Sequence, residues 1–284
     1  MLSSEKLRKL EELAGKLAKG KLLRASQLPA GPIEPSPPPA VVRLEEAIPG
    51  QVAERTVGKY YHVRKDLTRV WSEAAPIVRF YQKTFTNPTR TPAPESDLAA
   101  LLRADPDAIT YLDIETCGFA GNVIFLVGWC WFDGQNELVV EQALARDYAE
   151  EPAILSAAAE RLAQTQVLVT FNGKSFDLPS LRDRFVIHRL CVPPVPVHLD
   201  VLHQARAQWK KSLPNCQLKT LETYLCGRTR HGDIPGQDIP QVYHDFVKNT
   251  DARKLKLILH HNFLDLVTLA EVTARLLAGH TPDF

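Results

Sequence analysis

Residues 108–142 read AITYLDIETCGFAGNVIFLVGWCWFDGQNELVVEQ, and they decide the fold. The stretch holds three short apolar runs that are rich in branched and aromatic residues, with Gly, Asp and Asn between them. Such runs are typical of β-strands, and the residues between them are typical of turns. We therefore predict three neighbouring strands, at 108–115, 123–132 and 137–142.

The segments that follow alternate between helical and strand patterns. Two more strands are predicted, at 167–171 (VLVTF) and at about 195–199. Tight turns between the first three strands, followed by strands that alternate with helices, predict an α/β fold with a mixed β-sheet flanked by helices. The predicted helices are at 151–163, 178–189, 200–211, 217–225, 240–249 and 252–278.

The chain upstream of this region has a different texture. Leucines spaced three and four residues apart in residues 3–19 predict a short helix, and six prolines in residues 29–39 predict a semi-rigid linker. Residues 41–95 predict two or three short strands and a helix that pack on a neighbouring domain. We expect a flexible helix and linker at 1–40, then a small, partly irregular β segment, and a main domain at 96–280.

Composition and charge exclude several classes of protein. The 284 residues include 34 Lys+Arg and 33 Asp+Glu, for a formal net charge of +1, which excludes an arginine-rich arm, a histone-like packager and an acidic disordered chain. No run reaches the roughly 18 apolar residues of a membrane helix, and the N-terminus lacks a signal-peptide core. Five scattered cysteines without a C-x-x-C pair predict neither a disulfide framework nor a zinc ribbon. We expect a cytoplasmic protein with no membrane partner.

Two acidic residues interrupt the first predicted strand. In TYLDIE, Asp113 and Glu115 are two residues apart, so both side chains leave the same face of the strand. Side by side at a central strand they would repel each other and lose hydration unless a cation joins them. The alternative is that they stand just past the edge of the sheet, in water.

Two further acids follow in positions that point to the same edge. Asp177 opens a helix after the strand and turn of VLVTFNGKSF, where open α/β sheets bind ligands, although it would serve equally as a helix N-cap. Asp265 interrupts an apolar helical pattern, where a charge is rarely found without a partner. His261 lies four residues earlier on the same helical face, whereas His260 shares that face only if the helix begins after it. An ordinary surface or core role is the alternative for each histidine.

The four acids together predict a metal centre. Carboxylate oxygens from three elements suit two Mg²⁺ or Mn²⁺ ions better than they suit zinc. Two such ions about 4 Å apart are a general means of activating a water and of stabilising the departing oxygen of a phosphodiester, and a nearby histidine can accept the proton of that water. The predicted ligands are Asp113, Glu115, Asp177 and Asp265.

The order and spacing of these residues resemble the DEDD exonucleases of the ribonuclease H-like superfamily. The stretches TFNGKSFDLP, HLDVLHQAR, GDIPGQDIP and HNFLD are similar to the bacterial YprB-type branch of predicted exonucleases. The similarity runs from about residue 95 to residue 278. The motifs that match are Asp113-x-Glu115, Asn172-x-x-x-Phe176-Asp177 and His261-x-x-x-Asp265.

This resemblance implies a ribonuclease H-like mixed sheet and a two-metal nuclease that works from 3′ to 5′ on single-stranded DNA or RNA ends. It implies that Asp113 bridges both metal ions. It further implies that Glu115 and Asp265 complete one metal site, while Asp177 supports the other, partly through water.

The histidines depart from the superfamily pattern. Its members carry either Tyr four residues before the last Asp or His five residues before it, whereas this chain has His at both places. The YprB-type pattern and the helical geometry favour His261 as the general base. His260 is the alternative.

Other polar residues near the acids are candidates for support or for substrate contact. Asp200, in HLDVLHQAR, either supports the metal site or caps the helix that it opens. Asn172 shapes the turn or contacts a substrate sugar. Lys174 meets a phosphate or is simply solvated.

A basic stretch adds further candidates. Residues 205–256 hold ten Lys+Arg against five acids, a surplus that would give salt-sensitive binding to phosphates. Trp209 is available for stacking on a base, although the core is the alternative for it and a solvated helix face is the alternative for the others. The predicted nucleic-acid contacts are Asn172, Lys174, Trp209, Lys210 and Arg228.

Two other functions compete with the exonuclease. One is a nucleic-acid-binding or assembly module that keeps the fold but cleaves poorly, and the retention of four acids and a histidine argues against it. The other is a structure-selective endonuclease that uses the same site.

Overall fold

The structure is a computed structural model, and it describes residues 40–89, 91–118, 122–134, 137–195 and 197–280. By their contacts, the described residues from Val41 onward form one compact unit. The helix and linker predicted at 1–40 fall outside the described residues, apart from Ala40.

One β-sheet runs through the described part of the chain. Its strands are β1 Gln51–Arg55, β2 Gly58–Asp66, β3 Ile109–Thr116, β4 Ile124–Phe132, β5 Leu138–Leu144, β6 Val167–Thr170 and β7 Val197–Asp200. Their order across the sheet is β1-β2-β5-β4-β3-β6-β7. The pairs from β1 across to β3 are antiparallel, whereas β3, β6 and β7 are parallel. The predicted α/β class and mixed sheet are confirmed.

Helices pack on both faces of this sheet. They are α1 Leu44–Ala47, α2 Leu67–Val70, α3 Ala75–Thr86, α4 Asp97–Arg103, α5 Glu151–Ala163, α6 Asp177–Ile187, α7 Val201–Trp209, α8 Leu218–Cys226, α9 Ile239–Asn249 and α10 Leu255–Leu277. One core contains side chains of α5, α6 and α9, and the other contains side chains of α3, α4, α7, α8 and most of α10. No described helix combines the length and the apolar character needed to cross a bilayer.

The strand β3 divides its side chains between the two cores. Leu112 and Ile114 belong to the core with α5 and α6, while Ile109 and Tyr111 belong to the core with α10. Because successive side chains of a strand alternate between faces, Asp113 lies on the face of Tyr111, which α10 covers.

The strands β1 and β2 extend the same sheet beyond β5. Tyr61 of β2 lies opposite Leu144 of β5. On the α10 face, the hydroxyl groups of Tyr81 in α3 and Tyr111 in β3 are 2.9 Å apart. Residues upstream of the quoted stretch therefore share both its sheet and its core.

Candidate active site

The first two acids, Asp113 and Glu115, lie near the end of β3 and remain partly accessible. Loss of hydration raises the pKa of Asp113 well above its usual range, and the charges of Asp265 and Glu115 raise it further. Loss of hydration likewise raises the pKa of Glu115, followed by the charges of Asp265 and Asp177. We refer to Asp113, Glu115, Asp177 and Asp265 as the carboxylate cluster.

A tight turn after β6 leads to Asp177. Asn172 has a φ of 65°, in the left-handed region that residues other than glycine seldom adopt. A Cβ on Gly173 would overlap the side chain of Thr170, so the turn requires glycine there. Asp177 is the first residue of α6 and is buried, while Phe176 occupies the N-cap. The possible role of Asp177 as the helix cap is therefore not observed.

The environment of Asp177 disfavours its negative charge. Burial raises the pKa of Asp177 to about 7, and backbone hydrogen bonds at Asp177 and Ile114 act in the opposite direction. The charges of Asp200 and Asp265 raise the pKa as well. The interaction with Ile114 shows that this carboxylate lies beside β3.

Asp200 holds the turn in place. Its Oδ1 accepts hydrogen bonds from the N–H groups of Asn172, at 2.8 Å, and Leu202, at 3.1 Å. Its Oδ2 accepts one from the N–H of Lys174 at 3.1 Å. Asp200 thus caps α7, one of its two predicted roles, and also fixes the turn that carries Asn172 and leads to Asp177.

Helix α10 brings His261 against Asp265. His261 Nε2 lies 3.4 Å from Asp265 Oδ2, and His261 Nδ1 lies 2.8 Å from Asp233 Oδ1. Although burial opposes it, hydrogen bonds from Lys219 and His261 lower the pKa of Asp233 to about 2. Because an ionised carboxylate can only accept, Nδ1 carries the hydrogen and Nε2 is the nitrogen that can take up a proton. Asp233 was absent from the predicted site.

Arg230 is a second residue that the sequence did not reveal. Its Nη2 lies 2.6 Å from Asp265 Oδ1, and its Nη1 lies 3.5 Å from Asp233 Oδ2. Its Nε also pairs with Glu222. One guanidinium that is only 6% exposed therefore ties three carboxylates together beside the cluster.

The two adjacent histidines have different surroundings. Helix α10 begins at Leu255, so it does not start after His260, and the two side chains leave the helix about 100° apart. Of the two, His261 is the one in contact with Asp265. His260 instead opens onto a separate space of about 480 Å³, the lateral pocket. That pocket is lined by Lys65, Val70, Trp71, Glu222, Arg228, Thr229, Arg230, His231, His260, Phe263 and Leu264.

Buried amides hold Asp113 in place. Asn262 Nδ2 donates to Asp113 Oδ2 at 2.8 Å, and Gln142 Nε2 donates to Asn262 Oδ1 at 2.8 Å. Both amide side chains are completely buried. Gly128 lies opposite Asp113 in β4, and a Cβ there would overlap Asn262 Oδ1. The glycine in the middle of this apolar strand thus makes room for the Asn262 side chain that holds Asp113.

We expect Gly128→Ala to displace Asn262 and to destabilise the fold by about 1–3 kcal/mol, the usual cost of forcing extra atoms into a packed core. Urea unfolding measures the change. Gly236→Ala is the matched control, since no atom lies within 4 Å of its Cβ position, and it should stay within about 0.5 kcal/mol of the parent. Equal stability of both variants would contradict the close approach of Asn262 to β4.

A cleft of about 560 Å³ opens beside the cluster, with Asp113, Asp265 and Asn172 in its lining. Arg206 of α7 also lines it, and its exposed side chain has no carboxylate within ion-pair distance among the described residues. Arg206 belongs to the basic stretch, but its place in the cleft follows from the fold rather than from any local pattern.

The predicted substrate contacts are divided by the structure. Asn172 and Lys174 are exposed on the turn, with Asn172 in the cleft and Lys174 Nζ 3.3 Å from Asp97 Oδ2. Lys210 is exposed at the end of α7. These three remain candidates for substrate contact.

Trp209 and Arg228 require correction. Trp209 is 1% exposed and its Nε1 donates to the carbonyl oxygen of His280 at 2.9 Å, so its ring is part of the core and cannot stack on a base. Arg228 pairs with Glu222 at 3.3 Å and also with Glu271, so its charge is already balanced within the protein.

The donor chemistry of the cluster fits a divalent cation. No Lys or Arg of the described chain lies within ion-pair distance of Asp113 or Glu115, and oxygen donors of this kind are the ligands that Mg²⁺ and Mn²⁺ prefer. In the part of the chain that the structure describes, no three His, Cys, Asp or Glu side chains converge enough to enclose an ion by themselves. Arg230 is one reason for this, because its ion pair occupies an oxygen of Asp265.

Sheet, helices and cluster together define a protein of the ribonuclease H-like class. Residues 110–277 match the RNase_H superfamily, and the chain belongs to it. The chain is also 35% identical over 164 residues to the uncharacterized protein YprB of Bacillus subtilis (strain 168), a match that covers 56% of this chain and 39% of YprB. The predicted ribonuclease H-like fold and YprB-type similarity are confirmed.

Among solved structures, the chain is similar to the family B DNA polymerase of the archaeon Pyrobaculum calidifontis. The TM-score is 0.49 with 15% sequence identity, over 60% of this chain and 24% of the polymerase. RNase H-like nucleases generally use divalent metals and act on nucleic acid.

Proposed function

We propose that this chain is a metal-dependent exonuclease that removes nucleotides from the 3′ end of single-stranded DNA or RNA. The observation that carries the proposal is that the charges of four acids, from β3, α6 and α10, act on one another, and that two of them, Asp113 and Asp265, line one open cleft. The resemblance of the three motifs to DEDD exonucleases supports the 3′ to 5′ direction.

Two Mg²⁺ or Mn²⁺ ions would be held by Asp113, Glu115, Asp177 and Asp265. When bound, such ions lower the pKa of a water molecule and stabilise the departing oxygen of the phosphodiester. The raised pKa of Asp177, about 7, supports this assignment, because a nearby cation would restore the ionised form.

The chain's own residues would position the reactants. Asn262 holds Asp113 through its 2.8 Å hydrogen bond, and Asp233 keeps the hydrogen of His261 on Nδ1. His261 Nε2 can then accept a proton from the attacking water, as a general base does. Arg206 and Asn172, which line the cleft, would contact the nucleic-acid strand.

A binding module with weak cleavage is the second candidate, and the ion pair between Arg230 and Asp265 is the observation that favours it. An arginine that keeps hold of Asp265 would withhold that carboxylate from a cation. In the exonuclease, by contrast, Asp265 would be available to hold a cation.

End-labelled strands test the proposal. With Mg²⁺ or Mn²⁺, a 5′-labelled single strand should shorten one nucleotide at a time into a ladder, whereas a 3′-labelled strand should release its label as a mononucleotide at once. The same pair of substrates in EDTA is the control, since cleavage should stop there.

Each other pattern points to a different function. Internal fragments from both substrates would indicate an endonuclease. Tight binding without any cleavage, in either metal, would indicate the binding module. Release of the label from the 5′ end would reverse the proposed direction.

A further inference from the structure

The lateral pocket lies next to the carboxylate cluster but does not contain its acids. Arg230 separates the two, since it lines the pocket and pairs with Asp265 at 2.6 Å. The pocket's volume of about 480 Å³ is within the range of small-ligand sites, about 300–1,000 Å³. Its lining combines basic and aromatic side chains from residues on both sides of the quoted stretch.

Lys65, from the end of β2, is a partly buried cation in this pocket. Its Nζ lies 3.5 Å from Gln142 Oε1 and 4.8 Å from the centre of the Phe263 ring, and no carboxylate of the described residues lies within ion-pair distance. Loss of hydration lowers the pKa of Lys65 to about 8. An anion bound in the pocket would stabilise the charged form.

The other charges of the pocket are already balanced. Among the described residues that line the pocket, Glu222 is the only one with a carboxylate. It pairs with both Arg228 and Arg230. His231 and His260 are exposed in the lining and add hydrogen-bond donors. The pocket therefore favours an anionic ligand.

Trp71 supplies an aromatic surface. The guanidinium of Arg228 lies 5.4 Å from the centre of its ring, and Arg228 is itself fixed by Glu222 and Glu271. The indole is partly accessible and is held by this contact. Proteins that bind single-stranded nucleic acid combine an aromatic ring, on which a base stacks, with cations that contact the phosphates.

We infer that the lateral pocket binds one nucleotide unit of a single strand, with a phosphate at Lys65 and a base on Trp71. This inference rests on the proposed function, because it takes nucleic acid as the ligand. It gives Lys65 and Trp71, which lie upstream of the quoted stretch, a role in holding the nucleic-acid strand. In this inference Trp71 takes the stacking role that the sequence predicted for Trp209. Arg228, which was predicted to contact nucleic acid directly, instead holds the Trp71 ring.

Binding measurements in the Asp113→Asn background test the inference without interference from cleavage. A fluorescent 12-nucleotide strand is titrated by anisotropy at several KCl concentrations. Lys65→Gln should weaken binding severalfold and should reduce the slope of log affinity against log salt by about 0.7, the value for one phosphate contact on a single strand. Trp71→Leu should weaken binding about tenfold with the salt slope unchanged.

Lys59→Gln is the matched control, because Lys59 lies on the same strand, is exposed and pairs with Glu54 at 3.8 Å. It should bind like the parent. Thermal melting of each variant shows whether the fold is kept, and a variant that melts early is replaced by His260→Ala, which should also weaken binding.

The outcomes separate this inference from the proposed function. If the wild type cleaves the labelled strands but Lys65→Gln and Trp71→Leu bind like the parent, the pocket is not a strand site and the exonuclease proposal stands. If the parent binds no strand and the wild type cleaves none, both fail. Displacement of the strand by an equal concentration of a nucleoside monophosphate would show a site for free nucleotides and overturn the assignment to a strand.

Discussion

Asp113→Asn should abolish cleavage and, at the same time, make the metal-free protein more stable. Loss of a carboxylate that would hold the metal ions removes several kcal/mol of transition-state stabilisation, which lowers kcat by about a thousandfold or more. The neutral amide avoids the loss of hydration that is the largest cause of the raised pKa of Asp113, and it also ends the repulsion from Asp265 and Glu115. That relief should raise the Tm of the metal-free protein, by about 2–4 °C for each kcal/mol of stability gained.

The gain in stability should depend on pH and on metal. An acid whose pKa is raised in the folded state destabilises that state increasingly as pH rises from the acid's usual pKa to the raised one, and the pKa of Asp113 is raised well above its usual range. The variant's advantage in Tm should therefore be larger at pH 8 than at pH 5. Mn²⁺ should raise the Tm of the wild type and leave that of Asp113→Asn nearly unchanged.

Asp183→Asn is the control for this comparison, because Asp183 is an exposed acid of α6. It should keep the activity, the Tm and the response to Mn²⁺ of the wild type. A metal-free Asp113→Asn protein that melts below the wild type would mean that Asp113 is stabilised by its surroundings rather than repelled by them.

His261→Ala should lower kcat by about 10²–10⁴-fold, the usual contribution of a general base, while His260→Ala should leave kcat nearly unchanged. The reason is the position of the two rings, since His261 lies between Asp233 and Asp265 and His260 lies in the lateral pocket. Single-turnover cleavage measures the chemical step apart from binding, so any effect of His260→Ala should appear in the enzyme concentration that gives the half-maximal rate.

Asp233→Asn sharpens this test, because it keeps the shape of the side chain but loses the charge that fixes His261. It should lower kcat by less than His261→Ala does. The double variant should be no slower than His261→Ala alone, because residues that act as a unit are not additive. If His260→Ala abolished cleavage and His261→Ala left it intact, the assignment of the general base would be reversed.

The parts of the site that the sequence predicted are those with local patterns. Asp113 and Glu115 follow the two-residue period of a strand, and the distance from His261 to Asp265 is one helical turn. The sheet and most helix positions follow from the same short-range periodicity. Even Trp209 carried a usable signal, because it shares a helical face with Leu202 and Ala205, and all three are buried.

The partners of the acids depend on contacts between distant parts of the chain. Asn262 reaches Asp113 across 149 residues and Gln142 across 120 residues, and no local pattern encodes such pairs. Gly128, within VIFLVGWCWF, was the available hint, since a glycine inside an apolar strand indicates close approach of another group. Asp233 stood in the quoted GDIPGQDIP stretch, but its contact with His261 depends on how the loop before α9 folds back.

The position of β2 next to β5 has a consequence for synthesis on the ribosome. Tyr61 must wait for its partner Leu144, roughly 80 residues later, which at about 5–20 residues per second takes several seconds. During that interval β2 presents an unpaired edge with buried-type residues such as Tyr60 and Val63. The nascent hairpin of β1 and β2 is therefore the part of the chain for which we expect a chaperone to matter most.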